Sequence, residues 1–194
     1  MTIFIIALLI ISIILNISLS VITRKLQKKL LTNPLSGLTN EEGFKENRRK
    51  KKDHKGSILY LDIDDFKLVN DSYGHFAGDQ IIKMFGMFLE KNIRKTDSLK
   101  RMTVENDVGH LHGDEFVIFL SGTNFEEAVI AKNKLLSNLA KEKFCLDIDG
   151  SRQCININVS ATIGMAPYNG SYEKAMEKAD KDMLNEKENK GVSR

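Results

Sequence analysis

The sequence predicts an α/β (α+β) domain with a partly antiparallel sheet, preceded by one transmembrane helix. Two short runs of β-prone apolar residues, 58–61 and 117–120, are too short for helices and therefore indicate buried strands. Segments with apolar residues at helical spacing alternate with such runs, and a hairpin is expected around Gly113. Because a hairpin joins antiparallel neighbours, the sheet is at least partly antiparallel.

The stretch from Ile3 to Ile22 contains no charged residue and predicts a membrane-spanning helix. At about 1.5 Å per residue it would extend roughly 30 Å, the thickness of a bilayer's hydrocarbon core. A cleaved signal peptide is the alternative, but no basic residue precedes the stretch and no small-residue cleavage pattern follows it. We therefore expect a retained anchor over 1–23, a basic juxtamembrane linker over 24–32 and one domain over 33–194.

Basic residues directly after the apolar stretch place the domain in the cytoplasm by the positive-inside rule. They are Arg24, Lys25, Lys28 and Lys29. Within the stretch, Ser12, Asn16 and Ser20 share one helix face, which predicts either a dimerising stripe or hydrogen bonds to their own helix.

The net charge of +3 is too small to indicate nucleic-acid binding. A second basic cluster is expected either to rest on anionic lipid headgroups or to form a solvated face. Its members are Lys45, Arg48, Arg49, Lys50, Lys51, Lys52 and Lys55.

Two cysteines in a cytoplasmic domain argue against a disulfide framework. If Asp149-Gly150 forms a two-residue hairpin turn, Cys145 and Cys154 face each other across the hairpin. We expect a reduced cross-strand pair.

The remaining elements follow from hydrophobic periodicity. The domain is expected to contain a strand over 57–63, helices over 80–93 and 126–141, strands over 144–148 and 154–164, and a helix from near Ser171.

Acidic residues lie at the ends of the two predicted buried strands. Asp62 follows the first apolar run, and Asp114 and Glu115 precede the second. Carboxylates at neighbouring strand ends suit a divalent cation for phosphate chemistry, because Mg²⁺ binds a few hard oxygens and shares the substrate phosphate.

These acids belong to a longer pattern, Asp62-x-Asp64-x-Phe66-Lys67-x-x-Asn70-Asp71-x-x-Gly74-His75-x-x-Gly78-Asp79, followed by Gly113-Asp114-Glu115-Phe116. The pattern resembles the GGDEF family of diguanylate cyclases. The segments 33–40, 159–164 and 179–181 extend the resemblance to most of the domain.

The resemblance implies a five-stranded, mainly antiparallel sheet wrapped by helices, related to nucleotidyl-cyclase and polymerase palm domains. It also implies that two GTP molecules condense to cyclic di-GMP with release of pyrophosphate. Each domain would hold one GTP, so the active species would be a homodimer. With the anchor, the protein would be a single-pass protein of the bacterial inner membrane with a cytoplasmic catalytic domain.

The resemblance also assigns roles to residues. Asp62, Asp114 and the Ile63 carbonyl would hold Mg²⁺ (or Mn²⁺), and Asp114 and Glu115 would be catalytic. Glu115 would bind metal or assist deprotonation of the 3′-hydroxyl. The phosphates would meet Phe66, Lys67 and Lys187.

The base of GTP would be read by Asn70 and Asp79, and Gly113 would let the backbone approach the nucleotide. Turn formation or helix capping is the alternative for Asn70 and Asp79. Asp64 and Asp65 are expected to be surface acids at a strand end.

Several positions depart from the family pattern. His112 replaces the first glycine of the hairpin motif, and its ring is expected to project toward the GTP space. His110 stands where arginine is usual, and a transition-metal site of His110, His112 and Asp114 is an alternative, since these residues share a face on a regular strand.

Further departures lie at the edges of the domain. Asn33 and Glu41 replace an aspartate and an arginine, and Gly191 stands where a second phosphate-binding basic residue is expected, although Lys190 is adjacent. Thr103 and Asn106 replace the Arg and Asp of the product-inhibition motif, so feedback inhibition there is not expected.

Three functional hypotheses follow. The first is a membrane-anchored diguanylate cyclase, supported by the complete set of acids. The second is a catalytically weak or inactive GGDEF module that binds GTP or a partner protein as a regulator, supported by His112. The third is an interaction protein without a nucleotide role, which the retained carboxylates disfavour.

Overall fold

A computed structural model describes residues 2–50, 55–96, 107–147 and 154–191. The helices are α1 (Thr2–Leu30), α2 (Glu41–Lys50), α3 (Phe66–Tyr73), α4 (His75–Thr96), α5 (Phe125–Leu139) and α6 (Tyr172–Lys190). The strands are β1 (Gly56–Ile63), β2 (Asp107–His112), β3 (Glu115–Ser121), β4 (Phe144–Asp147), β5 (Cys154–Ile157) and β6 (Ala161–Tyr168).

The main sheet is antiparallel throughout and has the strand order β2-β3-β1-β6. The predicted fold class is therefore confirmed, but this sheet has four strands in the described residues where five were expected. The strand expected over 154–164 is divided, because β5 pairs with β4 in a separate ladder and β6 joins the main sheet. Nothing in this uninterrupted β-prone segment indicates the division, which is determined by the pairing partners.

Both faces of the main sheet are covered by helices, which explains the uninterrupted apolar runs of its central strands. Leu59, Leu61 and Phe116 face a core with α4 and α5. Ile58 and Val117 face a second core with α2 and α6. Alternating residues of one strand thus serve two cores, and the strand ends are fixed between the helix layers.

Helix α1 includes one segment, Phe4–Leu30, that is long and apolar enough to cross a membrane. The helix continues through the expected juxtamembrane linker as far as Leu30. Within it, the Asn16 amide donates to the Ser12 carbonyl oxygen at 2.8 Å, as one of the two alternatives for the polar stripe requires. The stripe's role in dimerisation stays a prediction.

Asn40 joins α1 to the domain. Its side-chain amide donates to the Leu30 carbonyl oxygen at 2.7 Å, and its backbone N–H donates to the Leu31 carbonyl oxygen at 3.0 Å. The same side chain caps α2 by accepting from the Gly43 N–H at 2.9 Å. The end of α1 is therefore hydrogen-bonded to the start of the domain.

The expectation of a reduced cysteine pair differs from the structure, in which Cys145 and Cys154 form a disulfide. Cys145 lies opposite Asn156, and Cys154 lies opposite Asp147, so the cysteines are diagonal neighbours rather than a directly opposed pair. The proposed Asp149-Gly150 turn lies outside the described residues.

Candidate active site

The acids at the ends of β1 and β3 come together as expected. Asp62 lies directly opposite Glu115 in the register of these strands. Asp114 occupies the turn between β2 and β3, and its carbonyl oxygen accepts from the Ile63 N–H at 3.3 Å. Asp62, Ile63 and Asp114 are therefore neighbours at one edge of the sheet.

Lys187 of α6 reaches this acidic group. Its ammonium donates to Oδ1 of Asp62 at 2.6 Å, and both side chains are buried. Burial raises the pKa of the Asp62 carboxyl, the Lys187 hydrogen bond opposes this shift, and Asp114 and Glu115 add to it. The charge of Asp62 is thus costly unless a cation stabilises it.

The residues fit a hard divalent cation. Asp62 and Asp114 supply carboxylate oxygens, and the Ile63 carbonyl is adjacent in sequence, which matches the oxygen ligands that Mg²⁺ prefers. Burial, and after it the charges of Asp114 and Glu115, raises the pKa of Asp62, and added positive charge would offset these effects. No group of three or more His, Cys, Asp or Glu arranged to hold a metal ion occurs in the described ranges. The site considered above has only two such side chains, Asp62 and Asp114, because its third ligand would be a backbone carbonyl.

A cavity of about 620 Å³ opens beside the acids. Most of the residues expected to hold metal or phosphate line it, namely Ile63, Phe66, Lys67, Asp114 and Lys187, and Asn70 lines it as well. Asp62 and Glu115 are buried close to it rather than exposed. This cavity combines acids with two lysines, as a metal–phosphate site requires.

A second cavity of about 340 Å³ adjoins the first. Asp79 and Gly113 line it, and Phe66, Asn70 and His75 line both cavities. The two cavities are therefore parts of one cleft. Asp79, expected to read the base, lines only the smaller cavity, whereas Lys67 and Lys187, expected to meet phosphate, line only the larger one.

Asp79 does not cap helix α4. Helix α4 begins at His75, five residues earlier than the predicted start, so Asp79 lies within the helix. Its side chain is exposed toward the smaller cavity. Gly74, with φ +82°, allows the sharp turn between α3 and α4 that the periodicity of the sequence did not indicate.

Gly78 allows Asn70 to reach the cleft. A Cβ at Gly78 would lie 2.0 Å from Oδ1 of Asn70, so any side chain there would displace the amide. The pattern that spaces Asn70, Gly78 and Asp79 is thus explained by the packing of α3 against α4.

The hairpin turn accommodates His112 without backbone strain. Asp65 is the only non-glycine residue with positive φ in the described part of the chain, and Gly113 takes the left-handed position with φ +52°. The His112 side chain is 67% exposed, and Nδ1 lies 3.1 Å from Oε2 of Glu115. His112 is not among the residues that line the two cavities, and whether its ring projects toward the GTP space stays a prediction.

His110 has a structural role. It is buried, its Nδ1 lies 3.0 Å from Oγ of Ser36 and its Nε2 lies 2.9 Å from the Gly113 carbonyl oxygen. The ring stacks on Phe116 with centroids 4.5 Å apart. A bulge between His110 and His112 removes the shared face on which the transition-metal alternative depended.

Asp64 is buried, contrary to the expectation of a surface acid. Thr162 donates a 2.6 Å hydrogen bond to it, and the Lys190 ammonium lies 3.6 Å from Oδ2. Lys190 also donates to the Ala161 carbonyl oxygen at 3.1 Å. Lys190 therefore contacts β6 and Asp64, and the phosphate role considered for it stays a prediction. Asp65 is exposed as expected.

Two functional positions received no role from the sequence. Tyr60 donates a short hydrogen bond to Oε2 of Glu115, and His75 lines both cavities. In the sequence Tyr60 is part of an apolar run, and the one signal of its role is that it precedes Asp62 by two residues and so shares its face. His75 belongs to the motif but nothing in its spacing assigns a chemical task.

Other departures from the family pattern have local explanations. Asn33 accepts from the N–H groups of Leu35 and Ser36 and so fixes the turn before α2.

Arg48 of the expected basic cluster is fully buried and pairs with Asp107, so the cluster is not a continuous solvated or lipid-facing surface. Lys51, Lys52, Thr103 and Asn106 lie outside the described residues.

A family model described as diguanylate cyclase, GGDEF domain, matches residues 31–193. Diguanylate cyclase DgcP of Pseudomonas aeruginosa is 31% identical over 167 residues, which are 83% of this chain and 23% of that protein. Diguanylate cyclase A of Treponema denticola is 32% identical over 136 residues, 69% of this chain and 33% of that protein. The chain thus spans about a quarter to a third of the length of these relatives.

The fold is similar to solved structures as well. The coiled coil and GGDEF domain of DgcB from Caulobacter crescentus, in complex with c-di-GMP, has a TM-score of 0.75 and 18% sequence identity. The similarity covers 94% of each chain. It therefore includes the helix before the domain as well as the sheet and its covering helices.

Proposed function

This chain belongs to the GGDEF family of diguanylate cyclases, and we propose that it is a membrane-anchored diguanylate cyclase that condenses two GTP molecules to cyclic di-GMP. The observation that carries the proposal is the cleft made by two adjoining cavities. Phe66, Asn70 and His75 line both, so a single ligand with a base at one end and phosphates at the other can occupy it.

The smaller cavity suits guanine. The Asn70 amide offers both a donor and an acceptor, and the Asp79 carboxylate accepts hydrogen bonds. Guanine presents an acceptor beside two N–H donors on one edge, whereas adenine lacks this arrangement. Asn70 and Asp79 are therefore proposed to select GTP, with Gly113 close to the nucleotide.

The larger cavity suits the triphosphate. Asp62, Asp114 and the Ile63 carbonyl would hold Mg²⁺ or Mn²⁺, which when bound would neutralise charge on the triphosphate. The backbone at Phe66 and Lys67 and the side chain of Lys67 would meet the phosphates. Lys187 would contribute its charge beside Asp62, with which it pairs.

The reaction makes and breaks one phosphorus–oxygen bond at each of two centres. Each 3′-oxygen bonds to the α-phosphorus of the other GTP, and the bond from that phosphorus to the pyrophosphate oxygen breaks. The hydroxyl proton must be accepted, and Glu115 is the proposed acceptor or the group that positions it. Two GTP thus give one cyclic di-GMP and two pyrophosphates.

The active species is proposed to be a homodimer at the bacterial inner membrane. One cleft accommodates one GTP, so the second GTP must come from a second copy of the chain. Helix α1 provides a candidate membrane span, and four basic residues follow its apolar part. This arrangement would hold two cytoplasmic domains close together at the membrane surface.

A catalytically weak or inactive module that binds GTP or a partner protein is the second candidate. Its support is the histidine at the first position of the hairpin motif. The negative φ of His112 and its exposed ring weaken that support, since the turn holds the residue without closing the cleft.

The test uses the purified full chain in detergent micelles or nanodiscs, incubated with GTP and Mg²⁺ at high protein concentration. We expect cyclic di-GMP in the chromatographed products and its loss in Asp114→Asn. Lys178→Met, an exposed change on α6, is the matched control and should leave the yield unchanged. GTP binding without turnover would favour the regulatory module, and absence of nucleotide binding would contradict both the cyclase and a module that binds GTP.

A further inference from the structure

The side chain of His112 lies on the same side of the sheet as Glu115. His110 is paired with Phe116 and His112 is paired with Glu115, with a bulge between the two histidines. Because adjacent residues of β3 face opposite sides, the bulge separates the two rings. His110 enters the core beside Phe116, and His112 meets Glu115 instead.

A hydroxyl and an imidazole nitrogen therefore reach one oxygen of Glu115. The Tyr60 hydroxyl donates to Oε2 from the buried side, and His112 Nδ1 lies 3.1 Å from the same oxygen on the exposed side. A carboxylate oxygen only accepts, so this contact is a hydrogen bond when Nδ1 carries a proton, for which the neutral Nδ1–H tautomer is sufficient. Glu115 itself is 6% exposed.

We propose that His112 is a positioning residue that, together with Tyr60, fixes the carboxylate of Glu115 for the reaction. The proposal rests on the cyclase function, because the orientation of Glu115 matters only if that carboxylate acts on the 3′-hydroxyl. Glycine at this position would supply no side-chain donor. A catalytic carboxylate must be held to within about 0.5 Å, and packing alone restrains a side chain less than two opposed hydrogen bonds do.

Two interpretations of His112 predict opposite effects of its replacement on turnover. If histidine in place of glycine only lowers the activity, His112→Gly would raise turnover. If histidine positions Glu115, His112→Gly and His112→Ala lower turnover. The direction of the change therefore separates the two interpretations.

Two amide variants provide matched controls. Asparagine at position 112 places its N–H₂ group where Nδ1 of histidine lies, whereas glutamine places it where Nε2 lies. We expect His112→Ala and His112→Gln to lower kcat about tenfold at unchanged KM, as for the loss of one hydrogen bond to a charged group. His112→Asn should stay within about twofold of wild type. Tyr60→Phe should lower kcat by a similar factor.

The kinetic outcomes are each decisive. Equal or higher kcat in His112→Ala overturns the proposal, as does an equal loss in His112→Asn and His112→Ala. A raised KM at unchanged kcat also overturns it, because the ring would then contact substrate. A wild-type chain that forms no cyclic di-GMP contradicts the proposed function itself and removes the catalytic role with it.

A second measurement tests the contact without turnover. In the full chain labelled with ¹⁵N-histidine, the His112 signal is identified by its absence in His112→Asn. We expect a protonated Nδ1 whose resonance shifts in Glu115→Ala, with the His75 resonances unchanged. A His112 resonance that is the same with and without the Glu115 carboxylate overturns the contact and the proposal.

Discussion

The ammonium of Lys187 donates a 2.6 Å hydrogen bond to Oδ1 of Asp62, and both side chains are buried. This pair connects the last turn of α6 with the end of β1, directly opposite Glu115. It places a positive charge in contact with Asp62. The acidic end of the cleft is therefore stabilised by a residue 125 positions away in sequence.

Replacing Lys187 by methionine should destabilise the ligand-free protein. The change leaves the buried Asp62 without its cation, and breaking a buried pair in this way costs about 3 kcal/mol. We expect that loss in the free energy of unfolding, measured by urea with tyrosine fluorescence in micelles. Lys178→Met, at an exposed position of the same helix, should change it by less than about 0.5 kcal/mol. Equal effects of the two changes would contradict the assigned role of the pair.

Gly78→Ala should weaken GTP binding while the fold persists. The added Cβ would lie 2.0 Å from Oδ1 of Asn70 and displace the amide from the base end of the cleft. We expect KM for GTP to rise about tenfold, corresponding to about 1.4 kcal/mol. The control is Gly86→Ala in the same helix, where the nearest atom is a Ser36 carbon at 3.1 Å. An unchanged KM in Gly78→Ala would count against Asn70 as a contact of the base.

The stability of the domain should fall on acidification through the titration of His110. Burial lowers the pKa of this imidazole below its ordinary value of 6.5. The unfolded chain then binds a proton that the folded chain does not, so stability is lost progressively as the pH falls below about 6.5. In His110→Gln this part of the pH dependence should disappear.

The measurement for His110 is the free energy of unfolding between about pH 8 and 5, where histidines titrate. Met87→Leu, a change at an exposed residue that does not titrate, should keep the wild-type slope. A wild-type slope in His110→Gln would show that the buried imidazole does not control the acid sensitivity.

The buried Arg48 should depend on Asp107. Burial lowers the pKa of Arg48 to about 10, its guanidinium lies 3.8 Å from the Phe119 ring centroid, and Asp107 is its ionic partner. Asp107→Ala leaves a buried charge unpaired, with an expected cost of about 3 kcal/mol in the free energy of unfolding. Arg48→Met removes the charge itself and should cost clearly less. If Arg48→Met proved the more destabilising change, the main role of Asp107 would not be to offset the cost of burying the Arg48 charge.

Local pattern was sufficient for the central strands and for α5. The apolar runs before Asp62 and after Glu115 form β1 and β3, whose two covered faces account for their uninterrupted apolar residues. Helix α5 begins at Phe125, one residue before the predicted start, where Asn124 and Glu127 form a capping box.

Tertiary partners determined what the pattern missed. The polar Asp64 was expected at the surface, yet Thr162 and Lys190 from distant segments bury it. A bulge between His110 and His112 puts their side chains on opposite faces of the sheet, and no residue type in the sequence predicts this bulge. Tyr60 became part of the site only because β3 brings Glu115 within reach of its hydroxyl.

The most direct test of the central claim is the stoichiometry of the product formed by the full-length chain from GTP and Mg²⁺. Chromatography with mass detection should find one cyclic di-GMP and two pyrophosphates for every two GTP consumed. Intact GTP after prolonged incubation at high protein concentration, or conversion to a product other than cyclic di-GMP, would contradict the account.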